Sequence, residues 1–137
     1  MSSRNRDPVR AWLRSHGAPD FVVEGGLEYL ALRWEEIAGA VANGYSLGLD
    51  DYLNDLDVRE MLDGALGVAR ARERLEFTGR VRSADERFRE ATREVEKCLW
   101  GDAVEGDEAW SAATAWWYYR VPLIPGDELD RDLRRRQ

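Results

Sequence analysis

Histidine, cysteine and lysine each occur once in this chain of 137 residues, as His16, Cys98 and Lys97. A lone cysteine closes no internal disulfide, so packing alone must hold the fold, which suits a reducing compartment. One histidine excludes the Glu-x-x-His pairs of a di-iron bundle and the Cys/His spacing of a zinc site. No apolar run approaches the ~20 residues that span a bilayer, and the Arg-bearing start lacks the apolar core of a signal peptide. Gly25-Gly26 is too short to cradle a phosphate, and no nucleophile elbow is present. The expectation is a cytoplasmic protein with no membrane segment and no cofactor.

What is present is a foldable mixture, 44% hydrophobic and 34% charged, of a length that suits one core and a single domain over residues 1–137. The net charge of -7 is unevenly spread. Residues 20–67 hold eleven carboxylates against Arg33 and Arg59, whereas residues 68–98 carry eight arginines and Lys97 against seven acids. Such a field disfavours nucleic acid over most of the surface, and the Arg134-Arg135-Arg136 end is too small a patch to reverse that. It favours a partner with a basic surface.

Helical periodicity dominates the rest. Asp7-Pro8 is a start signal and Gly17 a stop, which predicts a docking helix over 8–16 that buries Trp12 and ends on His16. Leu27, Leu30, Ala31, Trp34, Ile37, Ala38 and Val41 fall on one stripe, with Gly25-Gly26 as an interruption before it and Asn43-Gly44 as its end. A second stripe runs from Leu49 to Leu66. There Asp57-Val-Arg-Glu60 has the pattern of a capping box, which predicts a break near residues 54–57. A third, Val81, Ala84, Phe88, Ala91, Val95 and Leu99, predicts one helix to residue 99, its start left open between Ala69 and Gly79. Residues 101–106 read as an acidic loop, Asp107-Glu-Ala as the start of a short helix, and residues 1–6 and 128–137 as flexible ends. The fold class that follows is all-α, a bundle of four to six helices with an aromatic-rich, partly irregular C-terminal segment.

That segment, Trp110 to Tyr119, holds three of the six tryptophans and two of the five tyrosines. It is expected to form a short helix passing into an extended arm, because Pro122 and Pro125 deny a long strand and no partner strand is evident. Two readings stay open for it: a lid in which Trp110, Trp116 and Tyr119 close over the bundle, or a set of anchors. Four adjacent rings cannot share one face of a regular element, so at least one stays near the surface. Trp, Tyr and Arg lead interface hot spots, which makes Trp116, Trp117, Tyr118, Tyr119 and Arg120 the candidate partner-binding residues. Together with the acidic helical face they point to a non-enzymatic interaction module, an adaptor, regulator or inhibitor-like partner of another cytoplasmic protein. One alternative is a hydrolase-type enzyme holding Mg²⁺ or Mn²⁺ on Glu24, Glu28, Asp51 and Asp55, since hard cations need only oxygens. Another is a structural homo-oligomer. Cys98, between apolar neighbours, reads as a small filler.

Overall fold

A computed structural model of the chain describes residues 7–136. The first helix, α1 (Pro8–Ser15), starts as the sequence predicts: Asp7 Oδ1 accepts hydrogen bonds from the amides of Val9 and Arg10, at 3.1 and 3.2 Å. Its Val9 and Leu13 are buried, while Trp12 is only partly so. Trp12 lies against Gly64, where a Cβ would collide with its ring. The expected interruption in the next helix, α2 (Asp20–Ala42), is a sharp kink at Gly26, whose φ of 58° and ψ of -144° only glycine adopts readily. Every residue of the Leu27 to Val41 stripe is buried. Full burial of each large member stabilises the fold by about 1.5–3 kcal/mol, well above the ~0.2–0.5 kcal/mol of an exposed helix ion pair.

Helix α3 (Leu49–Val68) is continuous where a break was expected. No Gly or Pro lies between Asn54 and Asp57 to stop it, and the capping-box residue Asp57 turns its carboxylate to tertiary partners instead. A two-residue connection leads to α4 (Ala71–Glu90), which settles the open start near Ala69 and runs straight through Gly79. Contacts between α2 and α4 advance together along the chain, Glu28 and Glu35 with Arg80 and Gly39 with Arg87, so the two helices are parallel.

The third stripe outlasts its helix. α4 ends at Glu90, and β1 (Thr92–Glu94) pairs antiparallel with β2 (Arg120–Pro122) in the register Thr92 with Pro122, Arg93 with Val121 and Glu94 with Arg120. The partner strand thus exists, 28 residues away in sequence from Thr92 to Arg120. Its ladder is continued by Leu123 N to Ala91 O and Val95 N to Tyr119 O, at 2.9 and 2.8 Å. Ala91 and Val95 therefore pack from the two flanks of β1, and Leu99 from the loop that follows. Residues expected as an acidic loop form α5 (Asp102–Glu108), which ends on Ala109 in the left-handed region. The C-terminal end is also a helix, α6 (Asp127–Arg135), with Leu129 fully buried and Asp132 Oδ2 accepting from the Leu49 amide at 3.0 Å. The expected flexible segment 1–6 lies outside the described residues. The whole is an all-α domain of six helices joined by one two-stranded ribbon, among the described residues.

Candidate functional site

The aromatic run forms a single turn of 3-10 helix, Trp116–Tyr119, passing into β2, as its prolines and propensities suggest. Trp117, Tyr118 and Tyr119 are 1%, 0% and 4% exposed, and only Trp116 reaches the surface in part. A helix lying on a bundle must show one face to water, but this turn is enclosed on several sides. The Tyr118 hydroxyl donates to Asp57 Oδ1 of α3 at 2.6 Å, and its ring stacks on Trp110 at 4.2 Å. The Tyr119 hydroxyl donates to Glu105 of α5. Asp57 Oδ1 also accepts from Trp100 Nε1 at 3.0 Å; burial pushes this carboxyl above its ordinary pKa, against those two donors. Arg120 is spent on structure: its Nε donates to Thr92 Oγ1 at 2.7 Å, and its Nη2 to the carbonyls of Arg89 and Thr92. Of the five candidate anchors, Trp116 alone is placed to touch another molecule.

Trp116 and Trp117 meet edge to face at 5.5 Å and carry two guanidiniums. The Arg59 Cζ lies 4.5 Å from the Trp117 ring centre, and the Arg89 Cζ lies 3.9 Å from that of Trp116. Arg59, only 6% exposed, is also held by Asp85, with Nε to Oδ1 and Nη2 to Oδ2 both at 2.9 Å. Trp34 Nε1 donates to the same Asp85 Oδ1 at 2.8 Å, which ties α2, α3 and α4 to one carboxylate. Beside this cluster an open groove of about 510 Å³ runs between α3 and α4, lined by Arg59, Arg82, Asp85, Arg89 and the apolar Leu66 and Val81, among others.

No family model matches the chain, and neither a curated protein nor a solved structure proves similar to it. Function must be argued from the surface itself.

The predicted acidic residues are not brought together. Glu24 and Glu28 lie near the start of α2, whereas Asp51 and Asp55 lie near the start of the antiparallel α3, at the other end of the bundle. Glu28 pairs with Arg80 at 3.0 Å, and Asp55 accepts from Tyr45 Oη and Arg33 Nη2 at 2.6 and 3.1 Å. Among the described residues, no three His, Cys, Asp or Glu side chains gather as a metal site would require. Glu24 and Asp51 remain solvent-exposed. His16 Nδ1 contacts the Trp12 carbonyl at 2.9 Å, and Cys98 is buried, which pushes its thiol up.

Exposed apolar side chains lie elsewhere, among them Leu75 of α4 and Leu123 and Ile124 after β2, and two of them lie on α2, where sequence reasoning did not look. Phe21 is 62% exposed and Leu32 49%. They lie on either side of the Gly26 kink, so helical spacing does not carry from one to the other. Phe21 also meets Tyr29 edge-on, with ring centres 5.6 Å apart. In a straight helix eight residues climb about 12 Å, so the Gly26 kink is what closes that pair. Glu24, Glu28 and Glu36, all exposed, share this helix. The available signal was that Phe21 and Leu32 are apolar yet fall outside the Leu27 to Val41 stripe. Among the described residues, no helix is long and apolar enough to cross a membrane.

Proposed function

We propose that this protein is a non-enzymatic interaction module that engages another cytoplasmic protein, one with a basic surface, through the outer face of α2. The observation that carries this is the Phe21–Tyr29 pair: an exposed Phe21 ring held edge-on against the half-buried Tyr29 across a glycine kink, with the exposed Leu32 and several carboxylates on the same helix. A preformed apolar anchor loses little conformational entropy on binding, and aromatic anchors dominate interface energetics. Glu24, Glu28 and Glu36 would act mainly on encounter rate and partner choice, as rim charges do. The non-enzymatic half of the reading is supported by the partners of the buried acids. Asp55, Asp57, Asp85 and Glu105 each accept from Tyr, Trp or Arg side chains that hold helices and loops together.

The test is site-specific photocrosslinking. A photoreactive residue at Phe21 should capture a partner that the same residue at the exposed Leu75 of α4 does not. Phe21→Ser with Leu32→Ser should abolish binding of that partner with the thermal melt unchanged. Equal capture at both positions, or full binding by the double variant, would overturn the reading. Light scattering checks the self-association alternative: a stable dimer dispersed by the same double variant would reassign this face to a homo-oligomer interface.

A further inference from the structure

We infer that the groove between α3 and α4 is a second binding site, independent of the α2 face, and that it takes a carboxylate of an acidic peptide segment. Three guanidiniums line it, from Arg59, Arg82 and Arg89, in a protein whose net charge is -7. Two of them have no acidic partner among the described residues: Arg82 makes no ion pair or hydrogen bond, and the Arg89 guanidinium only stacks on Trp116. Stacking is what makes Arg89 useful. It fixes the guanidinium plane against the ring while leaving the in-plane N–H donors free, and bidentate recognition of a carboxylate needs that arrangement. Arg59 adds a third element. Its Nε and Nη2 are bound to Asp85, but its buried Nη1 makes no hydrogen bond and has only the exposed Asp63 at 3.5 Å. A buried donor left unbonded is costly, and an incoming oxygen acceptor would relieve that cost as Asp63 swings into water.

The charge balance chooses the ligand. Asp85 and Glu86 also line the groove, so the three arginines leave a surplus of one positive charge once Asp63, 3.5 Å from Arg59 Nη1, has swung away. That matches the single charge of a carboxylate better than the nearly two charges of a phosphate at neutral pH. Leu66 and Val81 on the walls suit the apolar stem of a glutamate side chain and its aliphatic neighbours. The aromatic run thereby acquires a role from inside the protein: Trp116 and Trp117 are a platform that orients arginines toward a partner.

The experiment is an NMR titration of the whole protein that follows the arginine Nε–Hε and tryptophan Nε1–Hε1 signals. The probes are acetyl-Leu-Glu-Glu-Leu-amide, its Gln-Gln counterpart and inorganic phosphate. The Glu peptide should shift Arg59, Arg82, Arg89 and Trp116 together and saturably, and the Gln peptide should not. Loss of a charged hydrogen-bond donor makes Arg82→Ala and Arg89→Ala each weaken binding about tenfold or more. Arg14→Ala, outside the groove lining, should leave it unchanged. The inference fails if no shift saturates by about 10 mM, a limit near -3 kcal/mol of binding. It also fails if Arg14→Ala weakens binding as much as Arg82→Ala, or if phosphate binds more tightly than the Glu peptide. None of these outcomes bears on the α2 face, whose crosslinks would stand or fall separately.

Discussion

Replacing Asp85 with asparagine should be among the most damaging single-atom changes this fold can suffer. Its carboxylate accepts three hydrogen bonds, from Trp34 Nε1, Arg59 Nε and Arg59 Nη2, all between 2.8 and 2.9 Å. The amide keeps one oxygen for Trp34 or Arg59 Nε, but its NH₂ then faces the Arg59 Nη2 donor. It also removes the main counter-charge of a guanidinium whose side chain is 8% exposed, leaving Asp63 at 3.5 Å. Stranding a buried partner in this way typically costs about 3–5 kcal/mol. A domain of this size has about 5–15 kcal/mol in total, so Asp85→Asn should remove roughly a fifth of it or more. With a urea slope of roughly 2 kcal/mol per molar, the unfolding midpoint followed by far-UV circular dichroism should fall by roughly 2 M. The complementary variant separates burial cost from structural need. Arg59→Met with Asp85→Leu replaces the whole pair by apolar groups and should lie within about 1 kcal/mol of wild type, apart from the Trp34 indole it leaves unbonded. A loss below about 1 kcal/mol for Asp85→Asn would refute the reasoning, since it would mean water or Asp63 already solvates Arg59.

Other expectations follow from the same geometry. Gly26→Ala should cost about 1–3 kcal/mol through backbone strain alone, because nothing lies near an added Cβ, whereas Gly79→Ala, in open space inside α4, should stabilise by about 0.5–1 kcal/mol. Urea midpoints of the two variants moving in the same direction would contradict this. Burial is the first cause raising the pKa of Tyr45, Tyr52, Tyr118 and Tyr119, so native protein should hold these four phenols protonated at about pH 11, where free tyrosine is mostly ionised. Their phenolate absorbance should appear only on unfolding, and early ionisation would show that the rings are not enclosed. Asp55, Asp57, Glu60 and Glu73 all have carboxyls raised chiefly by burial, so the native state binds their protons more tightly than the unfolded chain does. Stability should therefore rise as pH falls from 7 toward about 4.5 and be lost again only below that, where Glu35, lowered by its bond to Arg80, begins to protonate. A steady fall in the urea midpoint over that interval would refute the assignment.

The helices were legible because each buried stripe is written locally: Leu27 to Val41 needs only 3.6-residue periodicity to declare its inward face. The breaks were less so, for two different reasons. Gly25-Gly26 marks an interruption by itself, since only glycine readily takes the φ/ψ pair found at Gly26, but Asp57-x-x-Glu60 carries the same letters whether Asp57 caps a helix or reaches across the domain to Trp100 and Tyr118. The end of α4 was hidden by a coincidence of spacing. Ala91, Val95 and Leu99 continue a four-residue period, yet their backbones bond to Leu123, Tyr119 and Tyr118, partners that only the folded chain brings near. A three-residue strand has too little sequence to announce itself when its mate is 28 positions away.

The aromatic run shows the limit most clearly. Its conformation was predictable from prolines and propensities, but its exposure depends on how many sides are covered, and that is set by α3, α5 and the Trp100 and Trp110 loops together. Ring density alone therefore pointed to rings that the fold mostly buries. Three of the four rings serve the core, with hydroxyls satisfied by Asp57 and Glu105, and the fourth presents a face already covered by Arg89. The aromatic pair that reaches the surface instead joins the exposed Phe21 to the half-buried Tyr29, which draw no notice in sequence because they are eight residues apart. A kink that holds a largely exposed phenylalanine ring against Tyr29 rather than in the core is poorly explained by stability alone. It is explained if the rings meet a partner, which is why Gly26→Ala should weaken partner capture at Phe21 by more than its loss of folded protein accounts for.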